Sequence, residues 1–468
     1  MLESPVTGPG SMVCLVFLGI ILFFRLAKIG INMVGNRRYH AVILGQRPAV
    51  SHDNCCVILP VLNPDDPNLD GCLRSILENL PQHLYIVTIG TEAQNQVDSK
   101  LTRLRRQYIS NTQISVGAVN KVNKRRMIAH AMSVIEGKVT VVTDQGVYWP
   151  RGFLRSALAP FDDLAVSAVA VPKVVRKPGN MLKAHWACIL SLYHGFLADD
   201  NRAINALDRS ALFGGSTVLF RTYSSAEQQF RAEFENNRSS FAREGVLHGE
   251  EHCFFNCYFL QEPGRVVFQD VPDTTVQIEM PSLFSFMGEY IRTTHSTWSL
   301  SVSMLHHKSR STFPLTCFTT WLASFVSFTL VNDAFVIVLA YFDESLSHAK
   351  AFWIYVGAFM LTMQMLASLS TALYVRRSGA EYNFFTIFLC ILLSFVGQYV
   401  LELLRIVAAL TCWTKDIQVR MEADPEQAVD ESNEPDWIWG SMQLMDSPRA
   451  GEFYLPMYYG ERYRFAIE

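Results

Sequence analysis

A run of β-branched residues, Val139 to Thr143, ends at one carboxylate, Asp144, and a turn-like Gln145-Gly146 leads on to Val147-Tyr148-Trp149 and Pro150. The run has the composition of a strand buried on both faces. A carboxylate just past the carboxyl end of such a strand stands where open α/β sheets bind ligands. The plainer reading is an acid that caps the next helix. Gly249-Glu250-Glu251-His252 sets two carboxylates beside the apolar Cys253-Phe254-Phe255. One member of such a pair can have its pKa raised, which suits a base; the plainer reading is an exposed acidic first turn. His252 reads as structural. Lys124 and Arg125 open a helix beside the sheet's carboxyl edge, as an anion site would require, or simply face solvent. Asn63 and Asp65 lie in the first strand-end loop, where turn formation accounts for them equally well. Gly214-Gly215-Ser216 lets backbone approach a ligand closely, or is a plain β-turn.

The elements that position these residues follow from periodicity. Cys55 to Leu62 is an apolar strand, the Pro-rich loop Asn63 to Pro67 starts a helix, and Leu69 to Leu80 is amphipathic. Leu84 to Ile89 and Ile114 to Val119 are the next strands, separated by a basic helix over Val97 to Tyr108. Asn123 to Ile135 is a helix, Val139 to Thr143 a fourth strand and Ala165 to Val171 a fifth. Alternating strand and helix predicts an α/β domain with a mostly parallel, doubly wound sheet over 52–281.

The chain has 468 residues, half of them hydrophobic, with net charge −3. That is too long for one small domain and too apolar for a purely soluble enzyme, and the charge balance speaks against a nucleic-acid partner. Ten cysteines show no metal-ligand spacing and read as reduced thiols facing the cytosol. Met12 to Phe24 is apolar and extends to Val34, with Arg25 and Lys28 able to snorkel; Arg25, Lys28, Arg37 and Arg38 follow the run rather than precede it. Residues 1–40 therefore read as an uncleaved transmembrane anchor, N-terminus outside and the α/β domain in the cytoplasm. After a 282–312 interfacial segment, Phe313–Phe342 reads as one crossing out and Ala351–Val375 as the crossing back. Phe384–Leu410 reads as one crossing, or as a crossing plus an interfacial helix from Glu402. In the polar tail, 413–468, Met421 to Pro448 reads as disordered and Tyr454 to Tyr463 as orderable.

The order of short motifs resembles the membrane-bound family-2 glycosyltransferases, in particular the fungal polysaccharide-synthase branch related to hyaluronan, chitin and cellulose synthases. The pieces are Leu59-Pro60-Val61 with its acidic loop, Cys72-Leu73-Arg74-Ser75-Ile76-Leu77-Glu78-Asn79, Asn123-Lys124-Arg125-Arg126-Met127-Ile128-Ala129-His130-Ala131, and Asp144 with Trp149-Pro150. Gly215 with Arg221-Thr222, Gly249-Glu250-Glu251, and Arg292 with Trp298 complete it. The resemblance implies a GT-A-type domain that binds a UDP-sugar donor with Mg²⁺ or Mn²⁺. A polysaccharide or lipid would accept the sugar, beside membrane lipids and within a synthase oligomer. It implies that Asp144 holds the metal and donor, that Asn63 and Asp65 meet the nucleoside, and that Lys124, Arg125 and Arg292 meet the diphosphate. Glu251, beside Glu250, takes the base slot, and Gly214, Gly215, Ser216 and Trp298 meet the acceptor. Direct attack with one base implies inversion. The implied place is the plasma membrane rather than the Golgi.

Two positions depart from that pattern. The second carboxylate of the acidic motif falls on Gly146, which offers no side-chain oxygen; an Asp there would restore one if the backbone does not need a positive φ. The QxxRW motif reads Glu289-Tyr290-Ile291-Arg292-Thr293, which puts an acid near a pyrophosphate and removes an aromatic face. These departures leave a non-processive glycolipid-forming transferase and a catalytically silent synthase partner as alternatives.

Overall fold

In a computed structural model, residues 9–45, 48–108, 112–120, 123–222, 230–231, 234, 251–261, 264–306, 309–321, 329–342, 354, 357–358, 362, 365, 384–411 and 437–438 are described. The strands are β1 Cys55–Pro60, β2 His83–Ile89, β3 Gln113–Val119, β4 Val139–Thr143, β5 Val147–Tyr148, β6 Val166–Ala170, β7 Lys173–Val175, β8 Thr217–Arg221, β9 Arg265–Phe268, β10 Val276–Ile278 and β11 Trp437–Ile438. The main sheet has the order β11-β3-β2-β1-β4-β8-β6-β9, and a small sheet has the order β5-β10-β7. β3, β2, β1 and β4 are mutually parallel. β8 runs antiparallel between β4 and β6. Because β2 lies on one side of β1 and β4 on the other, the strand order reverses there. Their carboxyl ends open the crevice where such sheets bind ligands.

The five strands expected from sequence are present within a residue or two of their ends; the first stops at Pro60 rather than Leu62. β8 and β9, the small sheet and β11 were not anticipated. The helices packed on the main sheet are α2 Leu69–Leu77, α3 Gly90–Tyr108, α4 Lys124–Met132 and α5 Phe153–Ala157. Alternate strand residues feed two cores. Ile58 and Val142 join Met127, Ile128 and Met132 of α4 with Phe220, Phe255 and Phe259. Val57, Leu59, Val139 and Val141 join Leu69, Leu73 and Ile76 of α2 with Leu101, Phe153 and Phe161. Burial on both faces is why β1 and β4 are continuous apolar runs.

Two long helices frame the sheet, α1 Pro9–Arg38 and α6 Met181–Asp208. The first falls where the anchor was expected, and two of its charges are paired. Arg25 pairs with Asp333 at 2.5 Å and Lys28 with Asp200 of α6 at 3.1 Å. Asn32 donates to Asp200 at 2.7 Å. The expected single crossing from Phe313 to Phe342 is divided. Pro314–Trp321 is a helix whose start is held by Asp208, which accepts from the Thr316 amide at 2.6 Å and hydroxyl at 3.0 Å. Thr329–Phe342 is a second helix, with 322–328 outside the described residues. Ala351–Val375 lies almost wholly outside them. Phe384–Thr411 is one helix that bends by 40° between Leu393 and Gly397. By length and apolarity, among the described residues Gly19–Arg38 alone is fit to cross a membrane, or this bent helix as well if it counts as one span. In the tail, β11 pairs antiparallel with β3 at the sheet edge; the rest of 413–468, including Tyr454 to Tyr463, is outside the described residues.

Arg221, one of the family-like residues, is structural. At 7% exposure it donates to the carbonyls of Val166 (2.8 Å), Phe161 (2.8 Å) and Asp163 (3.0 Å), and its guanidinium lies over the Phe161 ring. Replacing it by Met leaves these carbonyls without their donor. Arg221→Met is expected to cost on the order of 3 kcal/mol or more, read by thermal or denaturant unfolding, with Lys recovering part of the loss.

Candidate active site

The crevice at the β1/β4 switch point is built by three segments. The loop after β1 is turned by Asn63, whose Oδ1 accepts from the Asp65 amide at 3.1 Å. Asp144 follows β4, and its amide donates to the Ser216 carbonyl at 2.9 Å. The third segment, Gly214-Gly215-Ser216, leads into β8. Gly215 (φ +80°) and Ser216 (φ +62°) are both left-handed. For glycine this is free, but for serine it stores strain, a mark of sites where position matters more than stability.

Gln145 ties the first two segments together. Its Oε1 accepts from the amides of Leu62 (3.1 Å) and Asn63 (3.2 Å). Its Nε2 donates to the Asn63 carbonyl (2.7 Å) and to Asp66 (3.1 Å). The sequence offered only a neutral residue between two motif slots; the structure makes it the clamp between the loop and the end of β4. Asn256 does the same for the third segment. Buried on the helix Glu251–Gln261, it accepts from the Phe213 amide at 2.7 Å and donates to the Phe213 carbonyl at 3.2 Å. That contact brings the start of this helix to the glycine loop. A Cβ built on Gly215 would lie 3.6 Å from His252 Nδ1 and 3.9 Å from Lys173 Nζ. The backbone of Glu251 therefore stands at the loop; its side chain, and the whole of Glu250, lie outside the described residues.

Lys124 is the first residue of α4, whose Asn123 cap accepts from the amides of Arg125 (2.9 Å) and Arg126 (3.2 Å). The cap aims the helix start at the crevice, and Lys124 Nζ reaches Asp144 Oδ1 at 2.8 Å. Arg125, expected beside it, turns away. It is buried, with its guanidinium over the rings of Phe234 and Phe254. A helix turns about 100° per residue, so neighbours cannot both face the crevice. Arg292 is exposed and Trp298 half-buried on the helix Leu283–His306, whose Phe286 and Tyr290 pack with Leu190 of α6.

The described residues around Asp144 do not by themselves make a divalent-cation site. Asp144 meets a lysine, and Gly146 offers no side chain. Among the described residues no three His, Cys, Asp or Glu side chains stand together as ligands. Nor can position 146 be repaired simply. Gly146 has φ +81°, and a Cβ there would lie 3.4 Å from Glu279 Cγ. Glu279 accepts from Asn68 at 2.8 Å and from the Tyr148 hydroxyl at 3.2 Å. Burial is the main cause that raises its carboxyl above the usual range, with the Asp66 charge adding to it.

No family model matches the chain. It is similar to a type 2 glycosyltransferase of Zymoseptoria tritici, 23% identical over 279 residues that make up 59% of this chain and 56% of the relative. It is also similar to the NDP-glycosyltransferase ltbB of Aspergillus luteorubrus, 29% identical over 52% of this chain and 54% of the relative. The chain thus spans about half the length of these curated relatives. Among solved structures it is similar to the mannosyltransferase PcManGT of Pyrobaculum calidifontis, solved in complex with GDP-Man and Mn²⁺, at 13% identity and a TM-score of 0.47, covering 86% of this chain and 99% of that one. The fungal relatives support a glycosyltransferase of the family-2 type.

Two substitutions test this geometry. Gln145→Glu keeps the acceptor but loses the donor and sets a second carboxylate against Asp66. The loss of one to two hydrogen bonds is expected to cost about 1–2 kcal/mol in denaturant unfolding. Gly146→Asp forces a left-handed backbone on a residue that meets Glu279. It is expected to cost about 1–2 kcal/mol in unfolding experiments and to confer no Mn²⁺ binding on the free protein.

Proposed function

We propose that the chain transfers a hexose or N-acetylhexosamine from a UDP-sugar, with inversion at the anomeric carbon. The observation that carries this reading is the meeting of the Asn63 loop, Asp144 with Lys124, and the Gly215 loop with the start of the helix Glu251–Gln261 at one switch point. The nucleoside lies over Asn63 and Asp65, and Lys124 leaves Asp144 for the diphosphate. The acceptor enters over Gly214 to Ser216, where the backbone offers no side-chain obstruction at the glycines. In the reaction the acceptor hydroxyl oxygen bonds to the anomeric carbon as the bond to the diphosphate oxygen breaks. The proton passes to Glu251 and the electron pair leaves with UDP.

The acceptor in this reading is a growing polysaccharide at a membrane surface, with the catalytic domain on the cytosolic side. The outward row Met12, Val13, Val16, Phe17, Ile20 and Phe23 of α1 suits lipid. Thr293, where an aromatic residue would stack a sugar, favours single transfer to a lipid acceptor as the second reading. The lysine on Asp144 favours a third, a silent partner subunit.

Incubating the purified full chain in nanodiscs with a panel of UDP-sugars, with Mn²⁺, Mg²⁺ or chelator, and following UDP release and product size tests all three. Released UDP with a sugar-bearing product is the expected result. Absence of turnover with every donor and membrane acceptor would leave the silent partner. Glu251→Gln keeps the shape and removes the base, so turnover is expected to drop about 10²–10⁴-fold with UDP affinity unchanged.

A further inference from the structure

Lys173, the first residue of β7, belongs to no motif, yet it stands at the crevice. Its Nζ donates to Ser216 Oγ at 3.3 Å, and the same Ser216 accepts the Asp144 amide through its carbonyl at 2.9 Å. It also flanks Gly215 together with His252. Ser216 therefore meets both the Asp144 backbone and a second ammonium group, from a left-handed backbone at φ +62°. Among the described residues the salt bridges at this corner pair one carboxylate, Asp144, with Lys124, and give Lys173 only the neutral Ser216 hydroxyl. The charge of Lys173 is felt around it: burial first, and this ammonium second, hold the His194 imidazole well below its usual range.

An ammonium group half-buried against a hydroxyl is under-compensated and favours an anion. A neutral sugar hydroxyl gains little from it; a diphosphate, which carries its charge on several oxygens, gains most. The acidic motif also has Gly146 in its second slot, so other cations can share the charge of a leaving diphosphate. Resting on the donor site proposed above, we infer that Lys173 is a second cationic contact for the nucleoside diphosphate. With Lys124 it supplies from side chains the positive charge that Gly146 leaves unanchored. A purely structural lysine would tie β7 to the Ser216 loop and leave nucleotide affinity unaffected.

The test uses the full chain in detergent and measures binding of UDP, GDP and uridine by calorimetry, in chelator and with Mn²⁺, at two salt concentrations. Lys173→Met is expected to weaken UDP at least tenfold in chelator and to flatten its salt dependence. Uridine, which has no phosphate, should bind as before, and Lys173→Arg should retain most of the affinity. Lys173→Gln serves if the Met variant is poorly folded, with the unfolding temperature as the control. Equal UDP affinity and equal salt dependence in wild type and a folded Met or Gln variant would overturn the role of Lys173 while leaving the donor site standing. An equal loss for uridine and UDP would show a structural role and overturn it too. Wild-type protein that binds neither UDP nor GDP, with or without Mn²⁺, would overturn the donor site and Lys173 with it.

Discussion

The crevice depends on the side chain of Gln145. The carboxyl ends of β1 and β4 separate at the switch point, and the loop after β1 has backbone amides and a carbonyl that no strand can satisfy there. One carboxamide answers two amides and one carbonyl, and reaches Asp66 besides. An acid at this position would lose the donors and a hydrophobe would lose everything. The middle slot of the acidic motif is thus fixed by the loop it holds.

A second constraint is the left-handed turn immediately after it. With φ at +81° and Glu279 packed alongside, position 146 accepts glycine and resists a β-carbon. The turn lets β5 leave β4 and join the small sheet, where Glu279 N donates to the Gly146 carbonyl at 3.1 Å. The absence of a second carboxylate is therefore built into the path of the chain. Its consequence is electrostatic. In the donor reading proposed above, a diphosphate here would meet ammonium groups at Lys124 and Lys173, which have no coordination geometry to satisfy.

The parallel half of the sheet was legible because β1, β2 and β4 are buried along almost their whole length and each strand is followed by a helix or turn signal; β3, largely half-buried, was read from Ile114 to Val119 all the same. β8 was hidden by its antiparallel insertion between β4 and β6, which alternation of strand and helix does not anticipate. α6 gave no amphipathic stripe because it is covered on several sides: Cys188 and Leu192 face one core, Leu190 faces Tyr290, and Asp200 faces α1. In the crevice, Asp144 and Lys124 were read from strand-edge position together with the family resemblance, since position alone left a helix cap and a solvent-facing lysine open. The direction of Arg125 was not legible, since spacing at a helix start does not say which of two neighbours faces inward. Gln145, Asn256 and Lys173 carried no signal at all, because their importance lies in partners far away in sequence.

Those distant partners also bind α1 to the α/β half. Lys28 and Asn32 both reach Asp200 of α6, and one turn further on, Gly35 lies so close that a Cβ there would fall 2.4 Å from the Ala203 backbone. Helices approach this closely only where one of them lacks a side chain. The same α6 ends at Asp208, which caps Pro314–Trp321, and carries His194 within reach of the Lys173 charge. The apolar helix and the crevice are thus joined through α6, which meets Lys28 and Asn32 of α1 and carries His194 into the field of Lys173.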